Sequence, residues 1–461
     1  MGPEGNEAML KISPSGIRGT VGGPLTTELA LSFAQAFATY AGGGTILVGR
    51  DTRRSGEMYR SAVISGLLGA GARVVDLGVC PTPTLQLAVK KKRAKGGVAI
   101  TAGHNQEDWN ALKFIRPDGI YLDRKQGEEL LEVFHQGNFR MAPWNRIRPV
   151  EKWDGAADLH RRILEEVFDI EAIRRRGFLV ALDCGNGACS NFTPALLEEM
   201  GCEVVAFHTK ETTPFPRDPH PHPASMSALA AICKALGADV GFAHDADGER
   251  LGIVDEKGEP LSEEMTLALA AEARLSRRPG ILVTNVSTTR SLEEIARRHG
   301  SQVVRVPVGQ AFASEAVVRM EAVLGGEGSG GVIVPEVLPS HDSAAAILLL
   351  LEFLALEGGS ISELASRIPK RFMKKQSLPL PPRRIYSFLR ALRRDLERER
   401  AGGAADFTDG VLLEERFGWI HFRASNTEPL LRVILEGRSE RGLLRLERRA
   451  QKILREGGLV L

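Results

Sequence analysis

Hydrophobic and polar positions repeat one arrangement at three places along the chain. An apolar, β-branched run is followed by a polar turn, an amphipathic segment, a glycine and a second apolar run. The three copies begin near Thr45, Gly177 and Gly280. Each glycine stands where the amphipathic helix should end, a position at which glycine tolerates left-handed backbone. Strand, helix and strand in this order predict a right-handed parallel crossover, so the pattern predicts three related α/β domains.

The C-terminal part of the chain has a different composition. After Ile368 the sequence RFMKKQSLPLPPRR is basic and rich in proline, and it precedes a predicted helix from Ile385 to Arg400. A linker and a fourth domain account for this change, and a solvated helix face explains the basic run better than a nucleic-acid patch does. The predicted domains are 1–150, 151–257, 258–370 and 371–461.

Composition narrows the function classes. A chain of 461 residues is long enough for several domains. Its net charge of +2 is too small for the broad positive surface of a nucleic-acid-binding protein, so no nucleic-acid partner is expected. Five cysteines without metal-ligand spacing predict reduced thiols and a cytoplasmic location. The first residues show no signal-peptide pattern. The apolar stretch from Ala344 to Leu356 is too short to span a bilayer, which favours a buried helix and no membrane partner.

The first loop with chemistry is Thr101-Ala-Gly-His-Asn105, which follows the apolar run GGVAI. It therefore leaves the end of a strand, where α/β sheets place their ligands. His104 and, further on, Lys113 could supply a proton relay and a cation beside a phosphate. On chemistry alone this signal is weak.

The second loop, HDADGER, carries Asp245, Asp247 and Glu249 at alternate positions between two apolar runs. Three hard oxygen donors suit magnesium if the backbone curls. A calcium loop is excluded because Arg250 stands at its required glycine. A solvated acidic turn between two strands is the alternative.

The third loop is GGEGSGG, between the apolar runs VL and VIVP. Its glycines allow close backbone approach, and Glu327 with Ser329 can accept and donate hydrogen bonds to neighbouring sugar hydroxyls. A flexible turn is an equally good interpretation of this loop by itself.

The fourth loop, RASNTEP, gives the strongest phosphate signal in the chain. Two guanidinium groups, two hydroxyls, an amide and turn-exposed backbone N–H groups can cradle a phosphate dianion. A capped surface turn is the alternative. The side chains concerned are Arg423, Ser425, Asn426, Thr427 and Arg432.

Taken together and in this order, the loops resemble the α-D-phosphohexomutase family over nearly the whole chain. The signatures that carry the likeness are SPSGIRGTVGG, VGRDTR, TAGHN with WNALK, DADGER, GGEGSGG and RASNTEPLLR. The resemblance implies an α/β fold: three similar α/β domains with mixed sheets and a smaller C-terminal α+β domain, around a central cleft. It also implies a reaction in which a phosphoserine donates its phosphoryl group to a hexose phosphate. The resulting bisphosphate then returns its other phosphoryl group to the enzyme, so that phosphate moves between C6 and C1.

The resemblance further implies ligands and residue roles. The ligands are Mg²⁺, a hexose phosphate substrate and a hexose 1,6-bisphosphate activator; the phosphoglucosamine mutase branch is the most similar, with phosphomannomutase and phosphoglucomutase as alternatives. The implied roles are metal ligation by Asp245, Asp247 and Glu249; sugar binding by Glu327 and Ser329; phosphate binding by Arg423, Ser425, Asn426, Thr427 and Arg432; and help at the phosphoserine loop from Arg18, His104 and Lys113.

Three positions depart from the family pattern. Gly103 stands where the phosphoserine is expected, Glu249 replaces the usual last aspartate of the metal loop, and Gly331 replaces the histidine common after the sugar loop. Glycine has no side chain to phosphorylate, whereas glutamate keeps a carboxylate with altered geometry. The change at Gly331 bears on substrate choice.

Three hypotheses follow from Gly103. The first is a mutase in which Gly103 is an engineered trap or in which Thr101 or His104 accepts the phosphoryl group instead. A neighbouring acceptor would lie several ångströms from the metal, since each strand residue adds about 3.3 Å. The second is a catalytically silent sugar-phosphate binder. The third, and least favoured, is a metal-dependent phosphatase with Asp245 as nucleophile.

Overall fold

The computed structural model describes residues 10–13, 16–212, 214–398, 405–425 and 429–459. They form four sheets with helices packed on them. None of the helices in these ranges combines the length and the apolar character that a bilayer span requires. All five cysteines are free thiols.

The first sheet has seven strands in the order β1-β2-β6-β5-β3-β4-β7. Its elements are β1 Leu10–Ser13, β2 Gly16–Thr20, α1 Thr27–Tyr40, β3 Gly44–Arg50, α2 Gly56–Gly69, β4 Ala72–Val79, α3 Thr82–Lys91, β5 Gly96–Ile100, β6 Trp109–Ile115, α4 Arg124–Gln136, a 3₁₀ turn Trp144–Arg146 and β7 Glu151–Lys152. Because β7 pairs with β4, this sheet extends just past the predicted domain boundary at residue 150.

The second sheet has four strands in the order β11-β10-β8-β9. Its elements are α5 Ala156–Val167, α6 Ile170–Arg176, β8 Leu179–Asp183, α7 Thr193–Glu199, β9 Glu203–Phe207, a 3₁₀ turn Pro223–Met226, α8 Ser227–Leu236, β10 Val240–His244 and β11 Leu251–Val254.

The third sheet has the order β13-β12-β14-β15. Its elements are α9 Glu263–Leu275, β12 Ile281–Asn285, α10 Ser291–Arg298, β13 Gln302–Val306, α11 Gln310–Arg319, β14 Leu324–Glu327, β15 Gly331–Ile333, α12 Ser343–Glu357 and α13 Ile361–Ser366.

The fourth sheet is antiparallel, in the order β16-β20-β19-β18-β17. Its elements are β16 Phe372–Pro379, α14 Pro382–Arg398, β17 Ala405–Asp406, β18 Val411–Glu415, β19 Gly418–Ala424, β20 Leu430–Gly437 and α15 Glu440–Glu456. Helix α14 begins three residues before the predicted start, at a proline, which is tolerated in the first turn of a helix.

The first three sheets share one topology, which confirms the prediction of three similar α/β domains with mixed sheets. In each unit one strand pairs in parallel with the next two strands of the chain, and the second of these two pairs antiparallel with the strand that follows it: β3 with β4 and β5, then β5 with β6; β8 with β9 and β10, then β10 with β11; β12 with β13 and β14, then β14 with β15. The antiparallel strand lies at the sheet edge in the second and third units, whereas β6 pairs on its other side with β2. The three predicted crossover glycines, Gly71, Gly201 and Gly300, all have positive φ.

Helix α12 explains how two of these units join. Its residues are apolar on all sides, and Ser343 to Leu354 are buried with the single exception of Glu352. The helix packs on both α6 and α9, so the second and third units share one continuous hydrophobic core. The first and fourth units have separate cores. The prediction of a buried helix here is confirmed, because a helix between two sheets needs no polar face.

Candidate active site

The shared topology brings three predicted loops to equivalent places. Residues 101–108, 245–250 and 328–330 each connect the third and fourth strands of their unit. Neighbouring loops contact one another: the Thr101 hydroxyl donates to Asp247 Oδ2 (3.3 Å), and the N–H of Leu251, directly after the second loop, donates to the Gly330 carbonyl (3.0 Å). The site is therefore built from all three α/β units.

Hydrogen bonds fix the backbone of the first loop. Arg53 is buried, and its Nη2 donates to the carbonyls of Gly103 (2.9 Å) and Asn105 (2.5 Å). Arg18 Nη1 donates to Asn105 Oδ1 (2.6 Å). The Gly103 N–H donates to Thr101 Oγ1 (3.0 Å). The loop is thus held from both ends by side chains of its own unit.

The position of Gly103 faces the acidic loop and a lysine. A Cβ atom on Gly103 would lie 3.4 and 3.6 Å from the two carboxylate oxygens of Asp247 and 3.7 Å from Lys113 Nζ. These are ordinary contact distances, so space for a small side chain exists beside both charges. The φ of Gly103 is +57°, a conformation that costs a non-glycine residue about 1–2 kcal/mol.

Lys113 Nζ links two of the predicted metal ligands. It donates to Asp247 Oδ2 and to Glu249 Oε2, both at 2.7 Å. Burial alone would raise the pKa of Asp247, but the Lys113 ammonium holds it below its usual value. Burial, and then Asp247, raise the pKa of Asp245 well above its usual range. An additional cation beside Asp245 would counter that shift.

The three predicted metal ligands are brought only partly together. Tyr121 OH (2.5 Å) and Gln310 Nε2 (3.0 Å) both donate to Glu249 Oε1, and Lys113 occupies Oε2, so both oxygens of this carboxylate already have partners. Accordingly, no group of three or more His, Cys, Asp or Glu side chains is arranged to hold a metal within the described ranges. However, Asp247 Oδ1 is buried without a hydrogen-bond partner, as expected of an oxygen that awaits a cation.

His104 is a neutral imidazole in this setting. Burial, followed by Arg250, His220 and Arg18, holds the pKa of His104 well below its usual value. Its ring lies 5.6 Å from that of His220, between centroids. An unprotonated imidazole next to Gly103 can accept a proton or form a covalent bond.

In the third loop, Glu327 is oriented by its own unit. Asn285 Nδ2 (2.7 Å) and the Gly309 N–H (3.0 Å) donate to Glu327 Oε1. The other oxygen, Oε2, lies 4.0 Å from Nε2 of His341. Ser329 lies in the same connection and is half-buried.

The predicted phosphate-binding arginines are neighbours on the fourth sheet. Arg423 on β19 and Arg432 on β20 stand opposite each other. Asp409 Oδ2 accepts from Arg423 Nε (2.9 Å), and Arg423 Nη2 is buried without a partner. Lys11 Nζ donates to the Ser425 carbonyl (2.6 Å), which connects the first unit to this loop. Asn426 and Thr427 lie outside the described residues.

Sequence reasoning missed several residues that shape the site. Tyr121, Gln310 and His341 belong to no predicted loop, and they reach Glu249 and Glu327 only through tertiary packing. Arg53 belongs to the VGRDTR signature, which therefore marked a positioning residue without showing what it holds.

The sequence matches four parts of one family in succession. These are the phosphoglucomutase/phosphomannomutase alpha/beta/alpha domain I over residues 9–141, domain II over 160–258, domain III over 262–372 and the C-terminal domain over 382–453.

Similar proteins cover almost the whole chain. A phosphoglucomutase/phosphomannomutase from Thermococcus kodakarensis is 37% identical, over 92% of this chain and 94% of that protein. A probable phosphoglucosamine mutase from the same organism is 35% identical, over 96% and 97%. A crystal structure of a phosphoglucomutase/phosphomannomutase family protein from Burkholderia thailandensis superposes with a TM-score of 0.84 at 28% identity, covering 97% of each chain.

Proposed function

The chain belongs to the phosphoglucomutase/phosphomannomutase family, and from that premise we propose that it moves a phosphoryl group between C6 and C1 of a hexose phosphate through a hexose 1,6-bisphosphate. Such an enzyme is an intramolecular phosphotransferase of the isomerase class. Glucosamine phosphate is the proposed substrate, and mannose and glucose phosphates are the alternatives, since relatives with both kinds of name match at similar identity.

One observation carries this proposal: Lys113 Nζ and Asp247 stand together beside the open position at Gly103. A transferring phosphoryl group needs its equatorial oxygens neutralised while it is held in line. Lys113 supplies one positive charge there. Arg423 and Arg432 supply the separate grip for the phosphate that does not react.

Magnesium is part of the proposal. Asp245 and Asp247 would hold it: Asp247 Oδ1 is buried without a partner, and Asp245, two residues earlier in the same turn, is a buried carboxyl whose negative charge a cation would stabilise. Glu249 would have to ligate the ion with a carboxylate that already accepts hydrogen bonds from Lys113, Tyr121 and Gln310. The ion would supply further neutralisation of phosphate charge.

Of the two neighbours that could replace the missing serine, Thr101 is the poorer. Its hydroxyl donates to Asp51 Oδ2 (2.6 Å), approaches Asp247 Oδ2 (3.3 Å), and is 1% exposed. His104 is half-buried and unprotonated. We therefore assign His104 as the acceptor in this chain: the unprotonated ring nitrogen bonds to phosphorus while the bond from phosphorus to the sugar oxygen breaks. The other ring nitrogen gives up its proton, and the sugar oxygen takes up a proton to leave as a hydroxyl.

The test is a phosphorus NMR assay. The purified protein is incubated with Mg²⁺, glucose 1,6-bisphosphate and glucosamine 1-phosphate, then with mannose or glucose 1-phosphate. Conversion of 1-phosphate to 6-phosphate supports the mutase. Conversion without any phosphorylated protein in intact-mass analysis would show that His104 is not the acceptor.

Two other outcomes favour the alternative functions. Binding without conversion favours a silent sugar-phosphate binder, and release of free phosphate alone favours a phosphatase. Asp247→Asn serves as the control and should abolish conversion.

A further inference from the structure

His341 occupies the place that a side chain on residue 331 would take. A Cβ atom on Gly331 would lie 2.5 Å from Cε1 and Nδ1 of the His341 ring and 2.7 Å from its Nε2. Real Cβ atoms do not approach so closely, so a side chain at 331 and this imidazole exclude each other.

The backbone around His341 is held firmly. The Asp342 N–H donates to the Val332 carbonyl (2.9 Å) on β15, and Asp342 Oδ1 caps α12 by accepting from the Ala344 N–H (3.0 Å) and the Ala345 N–H (3.2 Å). Since α12 is packed between two sheets, His341 projects from a rigid support.

The His341 imidazole is buried beside the predicted sugar-binding residue Glu327. His341 is 3% exposed, and its Nε2 is buried without a hydrogen-bond partner. Burial lowers its pKa, although Glu327 and Glu249 act in the opposite direction, so the ring is neutral at pH 7. Nε2 lies 4.0 Å from Glu327 Oε2. A buried polar nitrogen without a partner calls for one.

We propose that His341 Nε2 and Glu327 Oε2 bind one ring hydroxyl of the hexose between them. A hydroxyl oxygen about 2.8 Å from each atom spans their 4.0 Å separation with an angle near 90°, donating to the carboxylate and accepting from the imidazole N–H. His341 is then a sugar-contacting, specificity-determining residue delivered from the start of α12. The inference rests on the proposed function, because it requires a hexose phosphate in this site.

The test compares binding of complete and deoxygenated sugars by calorimetry. Glucosamine, mannose and glucose 1-phosphates are first titrated into the unaltered protein with Mg²⁺. For the tightest of them, His341→Ala should weaken binding about 3- to 10-fold, the effect of one hydrogen bond. One monodeoxy analogue should bind the unaltered protein more weakly than the complete sugar does, by the same factor. His341→Ala should not weaken the binding of that analogue any further.

Two variants separate contact from packing. The relocation variant Gly331→His with His341→Gly should recover most of the affinity, whereas His135→Ala, on the exposed end of α4, should leave it unchanged. Equal weakening of every sugar and every deoxy analogue by His341→Ala, or no weakening, overturns the proposal. If His341→Ala does not fold, the same deoxy series with His341→Asn decides. Failure of the unaltered protein to bind any hexose phosphate overturns the proposed function and this inference with it.

Discussion

Two glycines stand where the family pattern has functional side chains, and the structure treats them differently. At Gly331 the missing volume is filled by the imidazole of His341, 2.5 Å from where a Cβ would stand. At Gly103 the volume stays open, with Asp247 and Lys113 at contact distance. At Gly331 the histidine is therefore supplied from another part of the chain, which we call a relocation. At Gly103 the space beside the charges stays open, which we call a vacancy.

The difference shows how a departure from a motif should be read. A side chain can be replaced from a distant part of the chain when the fold delivers one to the same point, as α12 does with His341. A phosphoryl acceptor is harder to replace, because its oxygen must lie in line with the substrate and beside the cations, within a fraction of an ångström. The Thr101 hydroxyl, which accepts from the Gly103 N–H, is bound to Asp51. The proposed acceptor, His104, offers a ring nitrogen one residue further along the loop, so we expect it to be a slower substitute for serine.

The largest expected effect comes from filling the vacancy. Gly103→Ser should raise the rate of hexose phosphate interconversion about 10³-fold or more, because the new hydroxyl would stand between Asp247 and Lys113. The measurement is phosphorus NMR together with intact-mass analysis after bisphosphate treatment. Gly103→Ala is the matched control, with the same Cβ and no hydroxyl. A serine variant that is neither phosphorylated nor faster would show that the position is not a true vacancy.

The second effect concerns the charges that border the vacancy. Lys113→Met leaves Asp247 and Glu249 buried without their shared cation, so we expect a loss of about 3 kcal/mol in unfolding free energy. Mg²⁺ should restore part of this loss by taking the place of the ammonium. Urea unfolding with and without Mg²⁺ measures both. Lys125→Met, whose partner is the exposed Glu129, should change stability by less than about 0.5 kcal/mol.

The third prediction tests whether the His341 ring fills the space at Gly331. Gly331→Ala should destabilise the protein by about 1–3 kcal/mol, since its Cβ overlaps the His341 ring. Combining it with His341→Ala should cancel much of that cost, a coupling that a double-mutant cycle measures in thermal unfolding. Additive effects would mean that the overlap is relieved elsewhere. Gly103→Ala should show no such coupling to a trimmed neighbour, because its cost is backbone strain.

The smallest effect is at the support of the sugar loop. Lys375 Nζ on β16 donates to the Gly328 carbonyl (3.1 Å) and pairs with Glu263 and Glu264. Because the lysine is 36% exposed, solvent screening limits its contribution, and Lys375→Met should cost about 1 kcal/mol. Hexose phosphate affinity, measured by calorimetry, should fall only slightly. A large fall would show that the fourth unit controls this loop.

Part of the secondary structure could be predicted from the local sequence pattern. The three crossovers, the glycines that end their helices, the buried helix over 343–357 and the turn between β10 and β11 follow from hydrophobic periodicity and turn chemistry, which act over a few residues. The domain boundaries and the site roles remain predictions. The predicted metal ligands show what local pattern cannot supply. The alternate carboxylates in HDADGER suggested three ligands for one ion, but the pattern could not show that Glu249 accepts hydrogen bonds from Tyr121 and Gln310, which belong to other units.

The sequence alone determined the three crossovers, the buried helix and which loops carry the charges, because those properties depend on neighbouring residues. Only the tertiary structure decided that Lys113 bridges Asp247 and Glu249, that the space at Gly103 stays open and that His341 fills the space at Gly331. These contacts join residues that lie from 10 to more than 130 positions apart, and such distances are fixed only when the sheets pack.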